Sequence, residues 1–372
     1  MNADYKTSFV LPEDIYLLNH SVGRPPVNTA QVWSDSFLSP WRDEGEEVWT
    51  RWLEAISGFN SALSRLLNSP VENFCPQANL SSALTKILQS LPKHENRNTI
   101  VYTEEDFPSI AFVLQQAERF GYRLRALPDG PDSTEVGQWR DAFEEDTAVV
   151  LVTHVHSNTG RQVPVGEITR LAREQGVVSI VDVAQSVGCV PINLQTWSAD
   201  FVIGSCVKWL CGGPGAGFLW ARPAILSSCE PVDVGWFSHQ DPFEFDIHNF
   251  RYAENADRFW GGTPSVQPFV VAANSIHTIC DIGVENIRGH NLSLTQRLIE
   301  AVPAGSLVTP ADPDQRGGTL VVHFEEQQLE AVLSRLKSHK VLFDTRPTGI
   351  RLSPHIYNDA SEIDVTARCL GV

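Results

Sequence analysis

Short apolar runs that alternate with helix-like segments constrain this chain more than any other feature of its sequence. Residues 148–153 read AVVLVT and residues 177–181 read VVSIV, with almost no polar position on either face. A half-exposed strand would alternate polar and apolar residues. Runs without that alternation fit strands covered on both faces. Further strands are expected at 99–102, 122–127, 201–203 and 216–220, and helices at 46–67, 81–91, 110–120 and 165–175. Such alternation implies a mainly parallel sheet with helices on both faces. Residues 1–45, rich in Pro, Asn and Ser, read as an extended arm. Helices at 266–282 and 284–301, then shorter runs at 319–324, 327–337 and 350–352, suggest a smaller α+β unit at the end.

In sheets of this kind, ligands gather where the strands end at their carboxyl side. Thr153, Asp182 and Ser205 each close an apolar run, so three segments deliver polar groups to one edge. Lys208 follows Ser205 and leads into the turn CGGPGAG. A carboxylate on one strand end and a lysine just beyond the next are what a pyridoxal phosphate enzyme needs. The lysine amine forms a Schiff base with the aldehyde. The aspartate keeps the pyridine nitrogen protonated, so that the ring can draw electrons from the substrate. The glycines at 212, 213, 215 and 217 follow the lysine and do not link a first strand to its helix, so they are no dinucleotide loop. His154 and His156 alternate along a strand end and point to opposite faces, so no metal site is expected.

Composition sets the outer bounds. A chain of 372 residues exceeds the roughly 250–300 at which one core stops growing, so two domains are expected. The net charge of -17 disfavours nucleic acid and anionic membranes as partners. No apolar run reaches the ~18 residues of a membrane helix. The start, MNADYKTSFVLPEDIY, lacks a basic segment followed by an apolar one, so no secretory leader is expected. Seven cysteines, odd in number and without paired spacing, fit reduced thiols, and a cytoplasmic location is the expectation.

Motifs along the whole chain extend this reading. In order they are NHSVGRPP, EDFPS, HVHSNTGRQVPVGEIT, DVAQSVGCVPINL, GSCVKWLCGGPGA, VGWFSH, GGTPS, RGGTL and GIRLSPHIYND. Together they resemble the class V aminotransferase group of fold-type I pyridoxal phosphate enzymes, and within it the kynureninase family. The resemblance implies an α/β fold, with a large domain built on a mainly parallel sheet of seven-stranded type. It implies domains at 1–45 (arm), 46–265 (cofactor-binding) and 266–372 (a smaller α+β domain shared with part of the arm). Lys208 would carry the cofactor and move protons at the substrate Cα, and Asp182 would pair with the pyridine nitrogen. Gln185 would reach the ring 3′-oxygen and Phe107 would stack on the ring. Thr153, Ser109 and Ser205 would bond the cofactor or its phosphate, with backbone capping the alternative for Thr153 and Ser109. Trp236 and Thr263 would reach the phosphate of a partner subunit in a homodimer. Arg351 would clamp the substrate carboxylate, or else pair with Asp359 or Asp364.

Three departures bear on the substrate. Val207 stands where the kynureninase family has a tyrosine, so no phenol can relay a proton there. CPQANL replaces the hydroxyl-bearing phosphate loop, which leaves phosphate binding to the amides of Gln77 and Ala78. Gly45-Glu46-Glu47 replaces a Gly-His-Glu segment and sets Glu46 against the substrate. The resemblance thus implies an enzyme that cleaves a Cβ bond of an amino acid, with L-kynurenine a poor substrate. The alternatives are a class V aminotransferase, a cysteine desulfurase-like lyase and a non-catalytic pyridoxal-binding regulator. The desulfurase reading is disfavoured because the segment PADPDQRGGTLVVHF holds no cysteine.

Overall fold

The structure is a computed structural model that describes residues 5–43, 47–93, 95–127 and 133–371. The arm carries strand β1 (Ile15–Tyr16), helix α1 (Thr29–Trp33), a π-helical turn at Ser34–Leu38 and helix α2 (Ser39–Asp43). It is therefore not extended throughout, contrary to its composition. Trp33, Phe37 and Trp41 recur at four-residue spacing, a helical stripe hidden among polar residues. Phe37 stacks on Trp52 at 5.3 Å and meets Trp33 at 6.0 Å and Trp41 at 5.9 Å. Burial of Phe37 and its ring contacts outweigh the weak helix propensity of the segment.

Trp52 belongs to α3 (Trp49–Leu67). After it come β2 (Phe74–Gln77), α4 (Leu80–Ser90), β3 (Thr99–Tyr102), α5 (Pro108–Ala117), β4 (Arg123–Ala126) and α6 (Val136–Ala142). The central stretch holds β5 (Thr147–Thr153), α7 (Val165–Glu174), β6 (Val178–Asp182), β7 (Phe201–Ser205), β8 (Gly217–Ala221) and α8 (Pro223–Leu226). Two long helices follow, α9 (Gln267–Ile282) and α10 (Val284–Ala301). The chain closes with β9 (Leu320–Val322), α11 (Glu326–Ser338), β10 (Val341–Leu342), β11 (Asp344–Arg346), β12 (Gly349–Leu352) and α12 (Ala360–Leu370).

Seven strands form one sheet in the order β2-β8-β7-β6-β5-β3-β4. Only β8 runs against its neighbours; the other pairings are parallel. Alternate residues of each strand feed two cores. Val150, Val152, Val181, Val202 and Phe218 face one, and Val149, Leu151, Ile180, Ile203 and Leu219 the other. Both faces are thus covered, which is why these strands read as continuous apolar runs. α9 packs on the first core, with Phe269 4.9 Å from Phe59 of α3. A separate core joins α10, α11 and α12 to the antiparallel sheet β11-β12-β9, and Leu17 of the arm belongs to it. β1 pairs with β10, so the arm is tied into the C-terminal part of the molecule. No helix among the described residues is long and apolar enough to cross a membrane.

Candidate active site

Register aligns the polar strand ends. Thr153 lies opposite Asp182, Asp182 opposite Ile203, and Ser205 opposite Gly217. Lys208 sits in the turn just past β7, and the arm crosses it there. The Gly23 amide donates to the Val207 carbonyl at 2.8 Å. A Cβ at Gly23 would lie 2.1 Å from the Lys208 carbonyl oxygen, so only glycine permits this crossing. The NHSVG motif thus brings the arm, and His20 with it, to the lysine.

The Lys208 ammonium stands 5.5 Å above the Phe107 ring. Burial lowers the amine's pKa; Asp182 opposes this and the Arg351 charge adds to it. An amine with a lowered pKa is more available as a nucleophile. Burial pushes the Asp182 carboxyl up, while the Ala184 amide and the Lys208 charge pull it down. Its Oδ1 accepts from the Ala184 amide at 2.7 Å, the only hydrogen bond to its side chain among the described residues. A buried carboxylate of this kind gains most from a cationic donor such as a pyridinium. Phe107, 43% exposed, turns one ring face to Lys208, a floor for a flat aromatic group. This set of groups fits pyridoxal phosphate.

The remaining expected residues fall into distinct places. Gln185 is buried, donates to the His20 carbonyl at 3.1 Å and accepts from the Trp209 indole at 3.3 Å, so its amide fixes the arm against the lysine turn. The Thr153 hydroxyl donates to Asp106 at 2.6 Å. Ser205 Oγ accepts weakly from the Val207 amide at 3.5 Å. Ser109 lies half-buried in the first turn of α5. The Gln77 side chain donates to the Phe259 carbonyl at 3.1 Å, so the expected phosphate contact is one for its backbone amide. Ala78 is exposed next to Asn79, the N-cap of α4, whose side chain accepts from the Ser82 amide. Trp236 packs with Trp49, Phe237, Phe243 and Phe245. Thr263 is exposed ahead of α9. Neither makes a hydrogen bond or ring contact with Lys208, Asp182 or Phe107. Glu46 lies outside the described residues.

Arg351 is buried on β12 but does not pair with Asp359 or Asp364. Those two bond Lys6 at 2.8 Å and Arg297 at 3.2 Å. Its partner is Asp344, directly opposite on β11, which accepts from Nη2, while Nη1 donates to the Ser157 carbonyl at 3.1 Å. His20 Nε2 stands 3.6 Å from the same Asp344 carboxylate, and His20 Nδ1 is 2.6 Å from Ser353 Oγ. Burial and the Arg351 charge push the His20 pKa down to about 3 against the pull of Asp344, so the ring is neutral.

Sequence reasoning missed three groups here: His20, Asp106 and Asp344. Asp106 is buried beside Thr153, with its carboxyl raised to about 7 by desolvation, against hydrogen bonds from Thr153 and Thr103 and with the Asp182 charge adding to the rise. The available signal was its place before Phe107 in EDFPS. His156, fully buried, stands 3.6 Å from Glu105 and 4.0 Å from Asp106, with neither ring nitrogen hydrogen-bonded. His154 turns the other way, to Ser186 at 2.9 Å.

Comparison with known proteins adds independent findings. The family model "Aminotransferase class-V" matches residues 74–365. The "Uncharacterized aminotransferase YcbU" of Bacillus subtilis is 28% identical over 318 residues, spanning 84% of this chain and 83% of its own. Kynureninase of Pseudomonas fluorescens is 29% identical over 376 residues, spanning 94% of this chain and 86% of its own. Among solved structures, the cystine C–S lyase C-DES in complex with cysteine persulfide superposes with a TM-score of 0.87 at 20% identity, over 97% of this chain and 98% of its own.

Proposed function

The chain belongs to the class V aminotransferase family and is a pyridoxal 5′-phosphate-dependent enzyme of fold type I; from that premise, we propose that it cleaves a Cβ bond of an α-amino acid by hydrolysis or elimination. The observation that carries the reading is the half-buried Lys208 amine, set over Phe107 and within the fields of Asp182 and Arg351. The kynureninase relative, matched over 94% of this chain, favours chemistry at Cβ. All cysteines among the described residues are free, and none lies between Val308 and β9, which speaks against a persulfide-carrying loop.

Bound here, the cofactor supplies an electron sink for the pair released at the substrate Cα. Asp182 would hold the proton of its pyridine nitrogen. Lys208 would take the Cα proton and return it, a role general acid–base groups fill with ~10²–10⁴-fold effect. Phe107 would cover one face of the ring and shield it from water. Ser205 and the amides at the start of α4 would receive the phosphate. Arg351 would receive the substrate carboxylate. Trp236 and Thr263, which make no hydrogen bond or ring contact with Lys208 in their own chain, would complete the site of a second copy in a two-fold dimer. The neighbouring loop supports this, since it exposes Phe245 (72%) and Ile247 (89%).

Transamination is the second reading, favoured by the aminotransferase relative from Bacillus subtilis. A panel of amino acids with product identification by mass spectrometry separates the two. Cβ cleavage yields a product that has lost its side-chain group; transamination yields a 2-oxo acid with the side chain intact, and that outcome would overturn the first reading. L-kynurenine is expected to turn over poorly, because Val207 offers no hydroxyl. Lys208→Ala is expected to lower turnover of any accepted substrate at least ~100-fold.

A further inference from the structure

The planar fork of an arginine binds a carboxylate best through two parallel N–H bonds on one edge. In this molecule the fork of Arg351 is already engaged. Nη1 donates to the Ser157 carbonyl, Nη2 donates to Asp344, and Nε is buried without a partner. An incoming α-carboxylate therefore meets a guanidinium that already holds a carboxylate. Two carboxylates on one buried guanidinium repel each other, so one must yield.

Asp344 has somewhere to go. Arg346 Nη2 lies 3.5 Å from its Oδ2, and the unpartnered Nε2 of His20 lies 3.6 Å from the same atom. Neutral His20 can present an N–H at Nε2 when the Ser353 hydroxyl donates to Nδ1. Asp344 is less buried than Arg351 and His20, with 28% of its side chain exposed against 4% and none, and it reaches toward the more exposed Arg346. A small rotation can carry it from Arg351 to Arg346 and His20 without moving the strands.

We propose that Asp344 is a specificity-determining residue, an internal stand-in for the substrate carboxylate that each amino acid must displace from Arg351. This rests on the reading of Arg351 as the carboxylate clamp. The displacement weakens every ligand held mainly through its carboxylate. It therefore favours amino acids whose side chains add binding of their own, and disfavours small ones such as alanine.

The test uses the holoenzyme, with ligand binding read from the absorbance of the bound cofactor. The probes are L-alanine and ethylamine, which has the same amine without the carboxylate. In Asp344→Asn the dissociation constant for L-alanine is expected to fall about tenfold, with ethylamine unchanged. In Arg346→Ala, which removes the exposed alternative partner, L-alanine is expected to bind several-fold more weakly. Weaker L-alanine binding in Asp344→Asn would overturn the proposal, because it would mean that Asp344 merely props Arg351 in place. Equal shifts for both probes would overturn it too. A wild-type enzyme that responds to ethylamine and binds L-alanine no better would remove the clamp itself, and that result is distinct from either of the others.

Discussion

At the scale of single residues, the site combines groups that burial has pushed from their ordinary states. Asp106 is the clearest. Its carboxyl is raised to about 7 in the folded protein from 3.8. The folded state thus holds a proton that the unfolded chain releases, so this contribution to stability is full below pH 3.8 and is lost as pH rises through 7. Asp106→Asn is uncharged at every pH and keeps an acceptor for the Thr103 amide, while the Thr153 hydroxyl, which now donates to Asp106, can turn to accept from the Asn amide. In thermal melts of cofactor-free protein, the variant should gain on the wild type as pH rises from 4 to 8, by at most about 4 kcal/mol. A difference that does not change with pH would remove the assignment. Asp182 and Lys208 were legible in the sequence because Asp182 closes one apolar run and Lys208 stands just beyond the next, ahead of a glycine-rich turn. Asp106, His20 and Asp344 were not, since their significance lies in partners from distant segments.

Among elements, the C-terminal helix shows how local signals and long-range contacts combine. Asp359 caps α12 by accepting from the Glu362 amide, and the Glu362 side chain returns a bond to the Asp359 amide. Lys6 of the arm bonds both carboxylates, at 2.8 and 2.6 Å. Burial alone would raise the Asp359 carboxyl, but the bonds from Lys6, Ser361 and the Glu362 amide hold it well below the ordinary 3.8. A depressed carboxyl stabilises above its ordinary range and loses that effect as pH falls. Asp359→Ala should cost about 1 kcal/mol in denaturant unfolding near neutral pH, and the deficit should shrink on acidification below pH 4. Lys6→Ala should cost less, as its ion pairs are partly exposed. The sequence reading stopped before this helix, although N-D-A-S-E carries the capping pattern. It also missed β2, whose Pro and Gln residues are poor strand formers; pairing with β8 at the sheet edge decides that conformation.

For the whole molecule, one exposed loop bears on how many copies make a working site. Phe245 takes a left-handed backbone conformation, φ 55, which bulky residues adopt rarely. The loop that holds it also exposes Phe243 and Ile247. Isolated monomers seldom expose apolar groups so densely. Sedimentation of the wild type should give a dimer. Phe245→Asp with Ile247→Asp should give a monomer that releases its cofactor on dialysis. A monomeric wild type that retains the cofactor would overturn the shared site. The expected domain boundary at residue 266 falls at the start of α9, yet α9 packs against α3 in the core of the large sheet, an association no periodicity within either helix announces.

What the sequence determined by itself was whatever depends on neighbours along the chain. Runs without alternation specify strands buried on both faces, as at β5 and β6, and their polar ends specify one edge of chemistry carrying Asp182 and Lys208. Tertiary structure alone decided the rest. Whether Arg351 is free or held depends on Asp344, seven positions away and opposite it across an antiparallel pair. Whether Gln185 faces a ligand or the backbone depends on an arm 165 positions distant. The physical reason is common to both. A hydrogen bond or ion pair gains its value from desolvation, and desolvation is a property of the packed whole that no local pattern of residues encodes.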